Sequence, residues 1–197
     1  PQFALAPPRC PHHATHKKAA DLPAMAHPGC FFCLCATTEA NLGDGFFKAV
    51  DYFDQDGCWA IGSDSHISID PVEELRWLEY GQRLLTRKRN VLISSSSTST
   101  GRNLLDGALK GGARACGRNI GSITAGARAD FIVLDDQHPR LYGRRQDDLL
   151  DSWIFSGNEN LVRDVYIGGN KIIDHGRHAD EETIQRNYRN TLDQLAN

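Results

Sequence analysis

The chain has 197 residues, which suffices for one large domain or for one domain with an appendage. Hydrophobic residues make up 40% of it, so a buried core is expected, and a net charge of −3 with scattered basic residues argues against nucleic-acid binding. We find no apolar stretch of membrane-spanning length and no signal-peptide pattern, so no membrane partner is expected. Because residue 1 is Pro and not Met, we expect the chain to begin partway through a larger protein.

The first predicted elements are strands paired with helices. A short helix is predicted over 17–25 and a strand over the apolar run 30–35. After the turn-rich segment 41–45, apolar residues at helical spacing predict a helix over 46–57. The apolar run 58–62 predicts a second strand.

The clearest predicted helix follows Asp70, which is the expected N-cap residue. Pro71 suits the first turn, and Glu73 lies three residues after the cap, as in a capping box. The basic run 87–89 suits the end of the helix, where the helix dipole favours cations. The broad apolar stripe of this helix consists of Leu75, Trp77, Leu78, Leu84 and Leu85.

The second half of the chain changes from helix to strand. Its predicted elements are, in order, a serine-rich loop over 94–100, a helix over 103–117 weakened by Gly111 and Gly112, a strand within 127–135, two strands within 163–176 joined at Gly168 and Gly169, and a polar helix over 180–196. The early strand–helix order is typical of βα units, which build parallel sheets with functional residues at the carboxyl ends of the strands. The strand-rich tail predicts a separate small β layer.

Six cysteines occur, and their spacing is not that of a secreted disulfide framework. Cys30, Cys33 and Cys35 lie close together and have two interpretations, zinc ligands or small buried side chains. The second is favoured because no further ligand pair follows and because free thiols are often buried. A reducing, cytoplasmic environment is therefore predicted.

Asp64 is the first candidate for chemistry, because it directly follows the predicted strand 58–62. A carboxylate at that place can bind a divalent metal and accept a proton from its water, or it can simply bond loop amides. The residues alone leave these two alternatives open. His66 is favoured as a loop residue that bonds its surroundings, with a direct role as the alternative.

Two further segments are candidates. His12, His13 and His16 lie in a proline-rich stretch; the spacing of the outer two fits a helical metalloprotease motif, but no Glu lies between them. Exposed loop histidines are the favoured interpretation, with one inward histidine at a strand end as the alternative. In the segment 37–45, polar side chains could bond a substrate, or the segment could be an ordinary turn.

Longer stretches carry a family resemblance. The sequences "LCATTEANLGDGFF" (34–47), "AIGSDSHISIDPVEELRWLEYGQRL" (60–84), "GSITAGARADFIVLDDQHP" (121–139) and "LLDSWIFSGNENLVRDVYIGGNKIIDHGRH" (149–178) resemble the formimidoylglutamate deiminase family of the amidohydrolase superfamily. The resemblance runs from about Leu34 to the end of the chain.

The resemblance implies a metal-dependent α/β fold, a (β/α)8 barrel with a small β-sandwich. One divalent metal, usually zinc, is held in that family by a His-x-His after the first strand, a His after the fifth and an Asp after the eighth. "GSDSH" matches the last position, so Asp64 is the implied metal ligand and proton acceptor. His13, the first histidine of "HATH", is the implied assisting histidine after the sixth strand.

Three of the four expected metal ligands have no match in this sequence. The chain is therefore expected to cover about strands 6–8 of the barrel within residues 1–117, part of the β-sandwich within 118–180, and a carboxyl-terminal helix over 181–197. We predict that these 197 residues alone bind zinc poorly and turn over slowly or not at all. Half a barrel leaves open sheet edges, so we also expect self-association or dependence on a missing amino-terminal half.

The implied reaction is hydrolysis of a small molecule, N-formimino-L-glutamate, to N-formyl-L-glutamate and ammonia in histidine degradation. The alternative is a non-catalytic amidohydrolase remnant or interaction module that lacks a metal site. Homo-oligomerisation is a further expectation, and no nucleic-acid partner is expected.

Overall fold

The computed structural model describes residues 26, 30–94 and 97–196. Its elements are the strands β1 (Phe32–Leu34), β2 (Trp59–Ile61), β3 (Phe131–Leu134), β4 (Val162–Ile167), β5 (Asn170–Asp174) and β6 (Arg177–His178), and the helices α1 (Ala36–Leu42), α2 (Ala49–Phe53), α3 (Pro71–Thr86), α4 (Thr100–Cys116), α5 (Gln146–Phe155) and α6 (Glu181–Leu195). The predicted helix over 17–25 and His13 lie outside the described residues. No helix in the described part of the chain is both long and apolar enough to cross a membrane.

The first sheet consists of the two parallel strands β1 and β2, with Phe32 opposite Trp59 and Leu34 opposite Ile61. This parallel pairing confirms the prediction from the strand–helix order. Helix α4 lies against β2, and Gly111 makes the close approach possible. A Cβ atom on Gly111 would lie 1.6 Å from the carbonyl oxygen of Trp59, so only glycine fits there.

Helix α3 begins as predicted. Asp70 is its N-cap and accepts a hydrogen bond from the backbone N–H of Val72 at 2.8 Å, with Pro71 in the first turn. The predicted apolar stripe is only partly buried: Leu75 and Leu78 are in the core, whereas Trp77, Leu84 and Leu85 are exposed. Trp77 and Leu84 are seven residues apart and lie on a different face of the helix from the buried leucines.

Three segments differ from the sequence prediction. The segment 37–45 is not a simple turn, because α1 extends through Leu42 and ends on Gly43, whose φ of 74° is left-handed. Helix α2 is shorter than predicted. Helix α4 starts at Thr100, three residues early, because the Ser99 side chain accepts a hydrogen bond from the N–H of Arg102.

The second sheet is antiparallel and has the order β3–β4–β5–β6. The predicted hairpin is confirmed: β4 and β5 pair and are joined at Gly168 and Gly169, both with positive φ. Sequence patterns did not reveal α5, which lies between β3 and β4 in the chain. After β3 the chain leaves the sheet and forms α5, which packs against α3 and α4.

One apolar core lies under the parallel strands and helices α1–α5. It includes α5 even though that helix falls within the segment 118–180 predicted as sandwich. Its buried members are Phe32, Leu34, Phe47, Ala49, Tyr52, Trp59, Leu75, Leu78, Leu92, Leu104, Leu141, Leu150, Trp153, Ile154 and Leu161. Helix α6, in contrast, has no buried residues.

Candidate active site

The carboxyl ends of β1 and β2 form one edge, because the two strands are parallel and in register. The chain leaves β1 into α1 and leaves β2 into the turn that contains Asp64. Two of the candidate segments, 37–45 and the turn that contains Asp64 and His66, therefore meet at this edge. In parallel α/β folds, functional groups stand at such an edge.

Asp64 lies in a tight turn that runs from Ser63 to His66. The turn is closed by a hydrogen bond from the His66 backbone N–H to the Ser63 carbonyl oxygen at 2.9 Å. Asp64 has a φ of 46°, a left-handed conformation that few residues other than glycine adopt. Its side chain is exposed at the edge, and its charge acts on the nearby thiols of Cys33 and Cys35.

The Thr38 hydroxyl holds both ends of this turn. It donates to the Ser63 carbonyl oxygen at 2.7 Å and accepts from the His66 backbone N–H at 3.1 Å. Thr38 is fully buried, so its hydroxyl serves the protein and is not available to a substrate. The suggestion that this side chain bonds a substrate is therefore wrong for Thr38.

Glu74 of α3 holds the start of α1. Its carboxylate accepts hydrogen bonds from the backbone N–H of Thr37, at 3.1 Å, and from the Thr37 hydroxyl. Helix α1 has no side-chain N-cap of its own, and Glu74 supplies one from another helix. Both residues are buried, and burial raises the pKa of the Glu74 carboxyl. The Thr37 hydroxyl is also engaged within the protein.

His66 is a loop residue, as the favoured interpretation predicted. Its ring Nδ1 lies 2.7 Å from the Ser68 Oγ atom and also accepts from the Ser68 backbone N–H at 3.3 Å. The ring is half-buried and is turned toward its own loop.

Cys33 and Cys35 form a thiol pair beside this edge. A hydrogen bond between their side chains lowers the pKa of the Cys33 thiol and raises that of Cys35. Gly62 lets the backbone after β2 pass close to the Cys33 thiol, because a Cβ atom on Gly62 would lie 3.1 Å from the Cys33 Sγ atom. Cys30 and Cys35 are buried and Cys33 is half-buried, which fits their interpretation as small buried side chains.

The described residues do not assemble a zinc site at this edge. A zinc ion needs about four ligands. Of the ligands that the family resemblance implies, the described residues supply the exposed carboxylate of Asp64. Within residues 26, 30–94 and 97–196, one group of three potential ligands lies close enough together to hold a metal: Asp164, Asp174 and His175. That group belongs to the second sheet, and its two carboxylates already pair with Lys171.

A model of the amidohydrolase family matches residues 10–172. The chain therefore belongs to the amidohydrolase family. It is 50% identical over 186 residues to the formimidoylglutamate deiminase of Pseudomonas aeruginosa. The aligned region covers 94% of this chain and 41% of that protein. This likeness confirms the resemblance that the sequence motifs indicated.

Solved structures agree with this family. The crystal structure of an amidohydrolase from Brucella melitensis superposes with a TM-score of 0.87 at 43% identity, covering 95% of this chain and 41% of that one. An adenosine deaminase from Xanthomonas campestris, solved with bound zinc, has a TM-score of 0.80 over 94% of this chain and 42% of that one. Its 23% identity shows the shared fold alone. The chain thus spans about two-fifths of the length of these relatives.

Sequence patterns located Asp64 but gave no indication of the role of Glu74. Its partner Thr37 is 37 positions away in the chain, and a glutamate in the first turn of a helix has an ordinary local explanation at the helix dipole. Thr37 and Thr38 lie in the candidate segment 37–45, but their partners depend on how two strands and two helices pack.

Proposed function

We propose that this chain is the carboxyl-terminal part of an amidohydrolase that deiminates N-formimino-L-glutamate. The proposal is carried by Asp64, which the parallel strands set at their shared carboxyl edge in a chain half identical to a formimidoylglutamate deiminase. The earlier barrel strands would then lie in the part of the relative's length that this chain does not match. Residues 1–117 would supply about strands 6–8, residues 118–180 part of the β-sandwich, and residues 181–197 the terminal helix.

The proposed reaction adds one water molecule and releases one ammonia molecule. The water oxygen bonds to the formimino carbon, and Asp64 accepts a proton from that water as the bond forms. Asp64 passes this proton to the terminal nitrogen. The second proton, from the new hydroxyl group, also goes to that nitrogen as the carbonyl forms and the bond from the carbon to the terminal nitrogen breaks. N-formyl-L-glutamate and ammonia are the products, as expected for a step in histidine degradation.

His13 would stabilise the charge that develops on the tetrahedral centre. This chain would supply one ligand to a zinc site, the carboxylate of Asp64. The remaining ligands would come from the part of the longer relatives that this chain does not match.

A chimera tests this proposal. Residues of this chain replace the matched segment of the Pseudomonas aeruginosa relative, and ammonia release from N-formimino-L-glutamate is measured. The proposal predicts turnover by the chimera. No ammonia release from a folded chimera that retains bound zinc would contradict it, because the segment would then lack a necessary group.

A non-catalytic role is the second candidate, and the single exposed carboxylate at the edge favours it for the chain by itself. We predict that the isolated 197 residues bind zinc poorly, release ammonia slowly or not at all, and self-associate through their open strand edges. Metal analysis, the ammonia assay and sedimentation of the purified chain measure these properties. Near-stoichiometric zinc with clear turnover would overturn the non-catalytic candidate.

A further inference from the structure

The turn that carries Asp64 needs support from outside itself. A left-handed φ of 46° at an aspartate costs conformational free energy, and such a residue keeps its conformation only when its surroundings hold it there. The internal hydrogen bond from His66 to Ser63 closes the turn but does not tie it to the rest of the fold.

Thr38 provides that tie. A hydroxyl can donate one hydrogen bond and accept two, and this hydroxyl uses one of each on the two ends of the turn. Thr38 has no exposed surface, so solvent water cannot replace the hydrogen bonds of the hydroxyl if it is removed. The turn is thereby fixed against the first turn of α1.

Helix α1 is itself anchored. The Glu74 carboxylate binds the N–H and the hydroxyl of Thr37, the residue before Thr38. A continuous path of polar contacts therefore leads from α3, through α1, to the turn that holds Asp64; it is buried between Glu74 and Thr37 and part-buried at the turn. We name the Thr38 hydroxyl with its two contacts, to Ser63 and His66, the turn clamp.

We propose that Thr38 is a positioning residue for Asp64, acting through the turn clamp and without touching the substrate. This inference rests on the proposed function, because it assigns Thr38 a role in proton transfer by Asp64. A proton acceptor must lie within hydrogen-bond distance of the water that it deprotonates. Loss of the clamp moves the carboxylate and lowers kcat, whereas KM changes little because the groups that bind the substrate are left in place.

Hydrogen exchange on the 197-residue chain tests the clamp independently of activity. In Thr38→Val, the His66 amide keeps its bond to Ser63 but loses the one to the hydroxyl, and we expect it to exchange about tenfold faster. Thr38→Ser restores the hydroxyl and should exchange like the wild type. Thr100→Val is the matched control, since Thr100 is also a buried threonine in the first turn of a helix. Unchanged exchange at His66 in Thr38→Val would overturn the clamp.

Kinetics of the chimera test the positioning role. We expect Thr38→Val to lower kcat about a hundredfold, as small displacements of catalytic groups do, with KM nearly constant and activity rescued by Thr38→Ser. A wild-type value of kcat in Thr38→Val, or an equal loss in Thr100→Val, would overturn the inference. An inactive wild-type chimera would overturn the proposed function, and the exchange measurement would then decide by itself whether Thr38 holds the turn.

Discussion

The two sheets of this molecule are stabilised in different ways. The parallel pair β1 and β2 lies in an apolar core. Beside it, the buried Glu74 bonds to Thr37 of α1, and the buried Thr38 bonds to the turn after β2. The antiparallel sheet β3–β6 contributes mostly half-buried or exposed side chains, and its buried Asp164 forms ion pairs with Arg163 and Lys171 and accepts a hydrogen bond from the His175 backbone N–H. A region with buried, mutually bonded polar groups suits the positioning of a catalytic group, and the proposed function accordingly places Asp64 beside the first sheet.

The largest expected effect is at the contact between α4 and β2. Gly111→Ala would drive a methyl group into the Trp59 backbone, and we expect a loss of about 4 kcal/mol or more in the free energy of unfolding. Gly112→Ala is the matched control, because nothing lies within 4 Å of its added methyl group. Gly112→Ala should raise the free energy of unfolding by about 0.5–1 kcal/mol, because alanine has a better helix propensity than glycine. Chemical denaturation measures both, and equal effects would refute the close packing.

Truncation of one apolar side chain in each sheet compares their cores. Leu34→Ala in β1 removes a buried side chain and should cost about 3 kcal/mol. Ile167→Ala in β4 removes a side chain that is 44% exposed and should cost less than about 1 kcal/mol. Denaturation midpoints that shift equally would contradict the contrast between the two regions.

Acid should destabilise the second sheet through Asp164. A hydrogen bond from the His175 backbone N–H, with help from Arg163 and Lys171, lowers the pKa of the Asp164 carboxyl to about 2. Since the folded pKa lies below the ordinary value of 3.8, its stabilisation is complete above that pH and is lost as the pH falls through about 2. Asp164→Asn should therefore be less stable at neutral pH, and the difference should vanish at low pH. The exposed Asp54→Asn serves as the control in melts across this pH range.

Glu74 in the first region should respond to pH with the opposite sign, and by the smallest amount. Burial raises the pKa of the Glu74 carboxyl above its ordinary value of 4.5, so the folded state holds the proton more tightly than the unfolded state. The resulting stability is present below pH 4.5 and is lost as the pH rises through the folded value. Glu74→Gln should remove this pH dependence, which thermal melts between pH 4 and 7 would detect. An unchanged slope of melting temperature with pH would contradict the assignment.

Sequence patterns predicted the elements whose causes are local. The cap at Asp70, the hairpin at Gly168 and Gly169, and the two short apolar strands all depend on neighbouring residues. The position of Asp64 at a strand end also followed from local order. These features need no knowledge of distant partners.

The features that were missed depend on residues far apart in the chain. Helix α1 starts where Glu74 supplies a cap, so its segment resembled a turn in isolation. Helix α5 packs on α3 and α4, away from the strands that flank it in sequence. Gly111 appeared to be a weakness of α4 and proves to be the point of contact with β2. Tertiary packing overrides local propensity in all three cases.

The central claim is that Asp64 accepts the proton at the edge of the parallel strands, and kcat of the chimera carrying Asp64→Asn tests it most directly. An amide of the same shape preserves the turn but cannot accept the proton, so kcat for ammonia release should fall by about a thousandfold. The control Asp54→Asn should leave kcat unchanged. If Asp64→Asn released ammonia at the rate of the wild-type chimera, Asp64 would not be the proton acceptor and the account of this edge would be wrong.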